Sequence, residues 1–166
     1  MTDRIKFLTT LLIRFLALSF VFFLIWIPMG EIYLTLVAWA SKYVLWVMGY
    51  HTTLVTGGDT PYLLYRGIEV GMRKNAHLAN FNIIPLIALI LATPGVDLVR
   101  RTKMLAIGVF VLFCMHVIDF VSHIPMYFSG STIAEIVMVF IGVGGFAVPF
   151  VLWFVLAYKE ILGNIR

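Results

Sequence analysis

Three side chains able to carry out chemistry lie close together in the apolar segment MHVIDFVSHI: His116, Asp119 and His123. Two imidazoles and a carboxylate can ligate a divalent metal such as Zn²⁺, or can exchange protons with a substrate. On an α-helix, Asp119 and His123 would lie at about 300° and about 340° from His116, so all three share one narrow face. The spacing matches no recognised metal-ligand motif. Three roles therefore stay open: a structural hydrogen-bonded network, recognition of a substrate or partner, and metal binding.

These side chains are expected to face protein rather than lipid. An Asp at the centre of a membrane helix costs about 2.5–3.5 kcal/mol on insertion, so the polar face is predicted to look into a helix bundle. Other polar residues are predicted at the same depth, forming a polar chamber below the outer membrane surface. The predicted members of this polar chamber are His116, Asp119, His123, Asn80, Asn82 and Glu135. A basic group at its outer mouth is predicted from Arg73, Lys74 and His77.

The single cysteine, Cys114, can form no disulfide within the chain and no multi-cysteine metal cluster. It lies about 160° around the helix from His116, so it lacks a base that could activate it and is predicted to be an apolar filler. The sequence contains no P-loop, no Gly-rich dinucleotide fingerprint and no HExxH motif. No cofactor is expected, and no catalytic residue is assigned.

The composition of the chain indicates the kind of domain that positions these residues. Hydrophobic residues make up 62% of the 166-residue chain, charged residues only 12%, and the mean hydropathy is +1.04. Soluble domains contain about 25% charged residues, so a single integral membrane domain is predicted. The net charge of +4 comes from short basic clusters beside apolar runs, which indicates orientation in a lipid bilayer and argues against nucleic acid as a partner.

The predicted fold is all-α, with about four transmembrane helices, an outer amphipathic helix and a small extracytoplasmic β-hairpin. About 20 apolar residues cross a hydrocarbon core. Pro149 is expected to kink the last span. Turn-forming glycines between β-branched and aromatic runs favour the hairpin, with an irregular loop as the alternative. The predicted spans are 7–29, 78–94, 104–124 and 133–158, with the amphipathic helix at 31–50 and the hairpin at 51–75.

Charge bias sets the topology, because basic residues accumulate in cytoplasmic loops. With four spans, one side receives seven basic residues: Arg4, Lys6, Arg100, Arg101, Lys103, Lys159 and Arg166. The other side receives four: Lys42, Arg66, Arg73 and Lys74. Counting 31–50 as a fifth span would give five against five and no bias. A multi-pass protein of the cell membrane with both termini in the cytoplasm is therefore predicted, and 31–50 is read as a surface helix anchored by aromatic residues.

The order of elements resembles the core of the exosortase/archaeosortase family over residues 50–120. The resemblance rests on an outer hairpin, a span NFNIIPLIALILATP, a basic turn VDLVRRTKMLAIG and the segment FVLFCMHVIDF. Members are multi-span membrane proteins that process C-terminal sorting signals of exported proteins. They use a cysteine, an arginine and a further basic residue or histidine near the outer face. The resemblance implies a similar fold and membrane placement.

The family's catalytic residues are not matched. The position of the family's cysteine is occupied here by Asn80, or by Asn82 if the register is shifted by two. The position of the family's Asn-x-x-Arg pattern is occupied by the four residues from His116 to Asp119. An amide is a poor nucleophile, and a carboxylate repels a developing oxyanion. The leading hypothesis is therefore a catalytically silent accessory subunit that binds a membrane-protein partner. The alternatives are an enzyme with altered His/Asp-based or metal-assisted chemistry, and a structural subunit of an unrelated membrane complex.

Overall fold

A computed structural model of the chain describes residues 2–57, 60–71 and 80–165. The described residues fall into two compact units. The first comprises Met1–Ile27, Phe81–Leu112 and Phe146–Arg166, and the second comprises Pro28–Asn80 and Phe113–Gly145. The elements are, in chain order, α1 Thr2–Val47, β1 Thr53–Val55, β2 Tyr62–Tyr65, β3 Ile68–Gly71, α2 Ile83–Ala92, α3 Leu98–Ser129, α4 Thr132–Gly144, α5 Val148–Leu156 and α6 Tyr158–Ile165.

Two helices among the described residues are long and apolar enough to cross a membrane: Arg4–Val47 within α1, and α3. A break separates α4 from α5, and this pair adds a third crossing if it forms one broken span. The prediction of a mostly helical protein is confirmed, and the predicted apolar helices are present as candidates for crossing a membrane. In the described part of the chain, fewer helices qualify than the four predicted spans.

The predicted first span, 7–29, and the predicted surface helix, 31–50, form the single helix α1 of 46 residues. Glu31 and Lys42 interrupt the apolar run but are good helix formers, and Pro28 lies inside α1 without ending it. At about 1.5 Å per residue, α1 is about 69 Å long, whereas the hydrocarbon core is about 30 Å thick. If α1 crosses a membrane, its 46 residues exceed the length that the hydrocarbon core accommodates.

The other predicted spans also differ from the helices observed. In the segment 78–94, α2 has only 10 residues, so it is about 15 Å long and covers half of a hydrocarbon core. It ends at Thr93, whose extended backbone is favoured by the following Pro94. The segment 133–158 is divided into α4 and α5, and Pro149 lies in the first turn of α5, where proline is well tolerated.

The predicted hairpin is part of a three-stranded antiparallel sheet in the order β1-β2-β3. Thr53 pairs with Leu64 across the first two strands, and Tyr65 pairs with Ile68 across the next two. The β2–β3 turn consists of Arg66 and Gly67, both with positive φ, as a two-residue hairpin turn requires. Two residues of the predicted first turn, at 58 and 59, lie outside the described residues.

Thr93 links three helices of the first unit. Its hydroxyl donates to the Leu89 carbonyl at 2.6 Å and accepts a hydrogen bond from Trp153 Nε1–H at 2.8 Å. Its carbonyl accepts from the Arg101 guanidinium at 3.0 Å. Thr93 is completely buried, so each bond replaces one that water would otherwise supply. The end of α2 is thereby fixed to the start of α3 and to α5.

A salt bridge and an apolar cluster stabilise the same part of the first unit. The Arg100 guanidinium contacts both Glu160 carboxylate oxygens, with Nε to Oε1 at 2.7 Å and Nη2 to Oε2 at 3.0 Å. Arg100 Nη2 donates the hydrogen bond of this ion pair, and charge-assisted bonds are among the stronger polar contacts. Phe7, Leu11 and Ala92 form the nearby buried cluster, against which Trp153 packs. One region of the first unit therefore contains the start of α1, the α2–α3 connection and the start of α6.

Replacement of Thr93 by Val keeps the shape of the side chain and removes its hydroxyl. We expect a loss of about 1 kcal/mol of stability, because the indole N–H of the half-buried Trp153 loses its acceptor. The measurement is the thermal unfolding midpoint of the purified protein in detergent. Thr102→Val is the matched control, since the Thr102 hydroxyl donates to the Leu98 carbonyl at 3.0 Å but is exposed. Equal losses in the two variants would contradict the proposed role of Thr93.

Candidate functional site

The candidate site lies on α3 in the second unit, where α3 packs against α1. Tyr33 contacts His116, and Tyr50 contacts Ser129 further along both segments, so the two run in the same direction there. The apolar core between them also includes residues of β2 and β3. Its buried members are Val37, Ala38, Leu45, Leu63, Val70, Val117, Phe120, Val121 and Ile124.

Tyr33 and His116 form a buried polar pair. The Tyr33 hydroxyl lies 2.7 Å from His116 Nδ1, and the two rings meet edge to face with centroids 5.7 Å apart. Phe113 packs edge-on against Tyr33 with centroids 6.1 Å apart. His116 is only 4% exposed, so this hydrogen bond between α1 and α3 is shielded from solvent. Such a bond fixes how α3 is rotated against α1.

The second nitrogen of His116 distinguishes this pair from an ordinary packing contact. Nε2 is buried and has no hydrogen-bond partner in the described part of the chain. If the Tyr33 hydroxyl donates to Nδ1, Nε2 carries the proton of the neutral ring and is a donor without an acceptor. A buried unsatisfied group costs about 1–3 kcal/mol. The pair therefore combines one good hydrogen bond with one unused polar atom, as functional sites often do.

The next two turns of α3 carry polar side chains that are less buried. His123 Nδ1–H donates to the Asp119 carbonyl oxygen at 2.8 Å, which leaves Nε2 of the neutral ring as an acceptor. Asp119 and His123 are half-buried, whereas Tyr127 is 67% exposed. The His123 and Tyr127 rings lie 6.1 Å apart. We call Asp119, His123 and Tyr127 the α3 stripe.

The predicted chamber residues occupy different environments. His116, Asp119 and His123 share one face of α3, as their spacing predicts, because the helix is continuous through all three. Asn80 and Asn82 are buried but belong to different units. Glu135 is exposed in the first turn of α4, where the helix dipole stabilises a carboxylate. Glu135 is therefore exposed, whereas His116 is buried.

Other predicted residues add little to this site. Arg73, Lys74 and His77, the predicted basic group, lie outside the described residues. Among the residues that the structure describes, no three His, Cys, Asp or Glu side chains gather to hold a metal ion. Cys114 is half-buried on α3.

Tyr33 is the residue that sequence reasoning missed. It lies in an apolar stretch of α1, and nothing in its local pattern pairs it with a histidine 83 positions later. The one available signal was its spacing, since Tyr33, Val37 and Ser41 recur every four residues and are largely buried.

Comparisons of the chain with family models, with curated proteins and with solved structures found no match.

The Tyr33–His116 hydrogen bond predicts energetic coupling between the two residues. We expect Tyr33→Phe and His116→Leu each to lower the unfolding midpoint in detergent, because each substitution removes one partner of a buried pair. The double variant should lose less than the sum of the single losses, by about 0.6 kcal/mol, which is typical of membrane-protein hydrogen bonds. Tyr127→Phe removes an exposed hydroxyl and serves as the control. Strictly additive losses would mean that the two side chains do not interact.

Proposed function

We propose that this chain is a catalytically silent, exosortase-like membrane subunit that binds a membrane-protein partner through the α3 stripe. The observation that supports this proposal is the partial exposure of polar side chains on a helix that is long and apolar enough to cross a membrane. Lipid chains offer no hydrogen bonds to such groups. A protein surface with matching polar groups does.

Energetics favour a partner for Asp119 in particular. An Asp facing lipid costs about 2.5–3.5 kcal/mol at the centre of a membrane helix and less toward the interface, near which the proposed topology places the part of α3 that packs against the sheet. Interhelical hydrogen bonds from a second protein would offset part of this cost, because Ser, Thr, Asn, Gln and His commonly join membrane helices in this way. The partner surface that fits is therefore a membrane helix with hydrogen-bond donors facing Asp119 and a donor facing His123 Nε2.

Tyr127 extends the stripe with an aromatic side chain. It lies two residues before the end of α3 and is largely exposed. Tyrosine is enriched in protein interfaces because it combines a large apolar ring with a polar tip. An aromatic residue beside a carboxylate and an imidazole gives one surface both apolar area and directional bonds. This combination supports specific recognition in preference to general lipid contact.

The lack of residues that match the exosortase catalytic residues supports the proposal that this chain is catalytically silent. The resemblance aligns Asn80, or Asn82 in a register shifted by two, with the exosortase cysteine, and the only thiol, Cys114, lies within α3. A reactive cysteine needs an electropositive, partly exposed environment that lowers its pKa. The immediate neighbours of Cys114 in sequence, Phe113 and Met115, are apolar.

The proposed topology has both termini in the cytoplasm and the sheet outside. The first unit gathers the start of α1, the α2–α3 connection and α6, which carry most of the basic residues. A concentration of Lys and Arg on one side favours the cytoplasmic face. Arg66 and Lys42 belong to the second unit, which contains the sheet. This grouping supports the seven-to-four division predicted from sequence.

The partner surface can be tested with a photoreactive phenylalanine analogue at single positions, in cells that express the full chain. Placed at Tyr127, it should form a protein cross-link whose second component is identified by mass spectrometry. Placed at Ile118, which is 50% exposed about 200° from His116 on the same helix, it faces away from the α3 stripe and should give no protein cross-link. Equal cross-linking from both positions, or none from Tyr127, would overturn the proposal.

Two further variants separate binding from stability. Asp119→Leu combined with His123→Leu should abolish the cross-link from position 127. The same change should leave the unfolding midpoint unchanged or raise it, since it removes polar groups from a membrane helix. Cys114→Ala should change neither the cross-link nor the midpoint. Cleavage of sorting-signal peptides that depends on Cys114 would contradict the silent assignment.

The topology is tested by labelling single cysteines on a Cys114→Ala background. An impermeant maleimide should label Glu69→Cys, an exposed position in β3, in intact cells. Thr102→Cys, exposed near the start of α3, should be labelled only after lysis. The opposite pattern would place the termini outside.

A further inference from the structure

The first turn of α3 carries an arginine that is held in place without a counter-ion among the described residues. The half-buried Arg101 guanidinium donates through Nη2 to the Thr93 carbonyl at 3.0 Å. Its Nε is buried and has no hydrogen-bond partner in the described part of the chain. Its neighbour Arg100, in contrast, is paired with the Glu160 carboxylate. Removing a charge from water without a partner is costly, so an anion beside Arg101 would be stabilising.

Two acids of the same region are already engaged. Asp97 lies four residues before Arg101, and its side chain accepts a hydrogen bond from the Arg100 backbone N–H at 3.0 Å, as a residue before a helix often does. Glu160 accepts from the Arg100 guanidinium. Lys103, which is exposed, adds a further positive charge. The start of α3 is therefore a positively charged end of a helix, and its most enclosed free charge is that of Arg101.

An exposed leucine beside Arg101 favours one class of anion. Leu98 is 77% exposed and, three residues before Arg101, lies on the same side of α3. A nucleic acid or an acidic protein surface offers little to such a side chain, whereas a membrane offers its acyl boundary directly below a layer of phosphates. Because α3 is long and apolar enough to cross a membrane, its first turn would lie at a membrane surface whichever way the helix runs.

We propose that Arg101 binds the phosphate of an anionic phospholipid and that Leu98 inserts beside the acyl chains of the same lipid. The hydrogen bond to Thr93 fixes one side of the guanidinium, and arginine binds phosphate through charge-assisted hydrogen bonds from the N–H groups that remain. The net negative headgroup supplies a counter-ion, which a zwitterionic headgroup does not. All of these residues belong to the first unit, so the site does not depend on the α3 stripe.

The probes for this site are phosphatidylglycerol and phosphatidylcholine, each with a photoreactive diazirine near the headgroup end of one acyl chain. Each lipid is added to the full-length protein in nonionic detergent, and the labelled residues are mapped by mass spectrometry. We expect phosphatidylglycerol to label residues 98–105 about tenfold more than phosphatidylcholine, the ratio that one charge-assisted hydrogen bond supplies. Equal labelling of this segment by the two lipids would overturn the proposal.

Three variants test the role of the Arg101 charge. Arg101→Gln should remove the preference for phosphatidylglycerol, whereas Arg101→Lys should keep most of it, because lysine retains the cation but loses the guanidinium fork. Both changes remove the guanidinium bond to Thr93, so their difference reports charge and not a loss of stability. Lys103→Gln removes the same charge about 160° around α3 and should preserve the preference. Equal losses from Arg101→Gln and Lys103→Gln would indicate diffuse attraction and would contradict a site at Arg101.

The apolar part of the site has its own pair of variants. Leu98→Gln should lower labelling by both lipids about threefold, since part of an apolar side chain leaves the acyl boundary. Val99→Gln is the control, because Val99 is 67% exposed but lies about 160° around α3 from Arg101. Glycerol 3-phosphate, a water-soluble phosphate ester, should not displace phosphatidylglycerol at equal concentration. Displacement would identify a site for free phosphate esters, and equal effects of the two Gln variants would exclude Leu98; either result would overturn the proposal.

Discussion

The hydrocarbon interior of a bilayer cannot hydrogen-bond to a protein, and this constraint decides where each part of the chain can lie. Helices satisfy their own backbone groups and are tolerated there, whereas an open sheet leaves unpaired groups on its edge strands. The small sheet has two such edges, β1 and β3. In the proposed topology the sheet therefore lies outside the hydrocarbon. Leu63 and Val70 of the sheet pack against α1 and α3, so this topology places the helix segments that they contact near the membrane surface.

This placement lowers the cost of the polar residues on α3. Val117, Phe120 and Val121 pack in the same core as the sheet, and Asp119 lies among them in sequence. Charged residues cost less near the interface than at the bilayer centre, because they can reach water or headgroups. In the proposed topology, the α3 stripe therefore lies where polar groups cause only a small loss of stability and where a partner can reach them. The excess length of α1 over the hydrocarbon core has the same explanation.

The sequence predicted the features that depend on side-chain hydropathy or on local spacing. It identified the membrane class, the apolar segment within α3, a small sheet beyond α1 and an interruption near Pro149. It did not predict that α1 continues through Glu31 and Lys42, because hydropathy measures preference for lipid and not helix continuity. Nor did it predict the short α2, which is limited by Thr93 and Pro94. Tyr33 could not be found because its pairing with His116 depends on how two distant segments pack.

The Tyr33–His116 bond connects the core of the second unit to the proposed partner surface. His116, Asp119, His123 and Tyr127 follow one face of α3, yet exposure rises along this face from 4% at His116 to 67% at Tyr127. Because the helix is continuous, fixing the rotation of α3 at His116 also fixes the directions of the three residues that follow. A change that freed His116 would allow α3 to rotate and would turn Asp119 away from the direction in which it meets a partner. The buried pair therefore contributes to recognition by orienting the stripe, without itself contacting a partner.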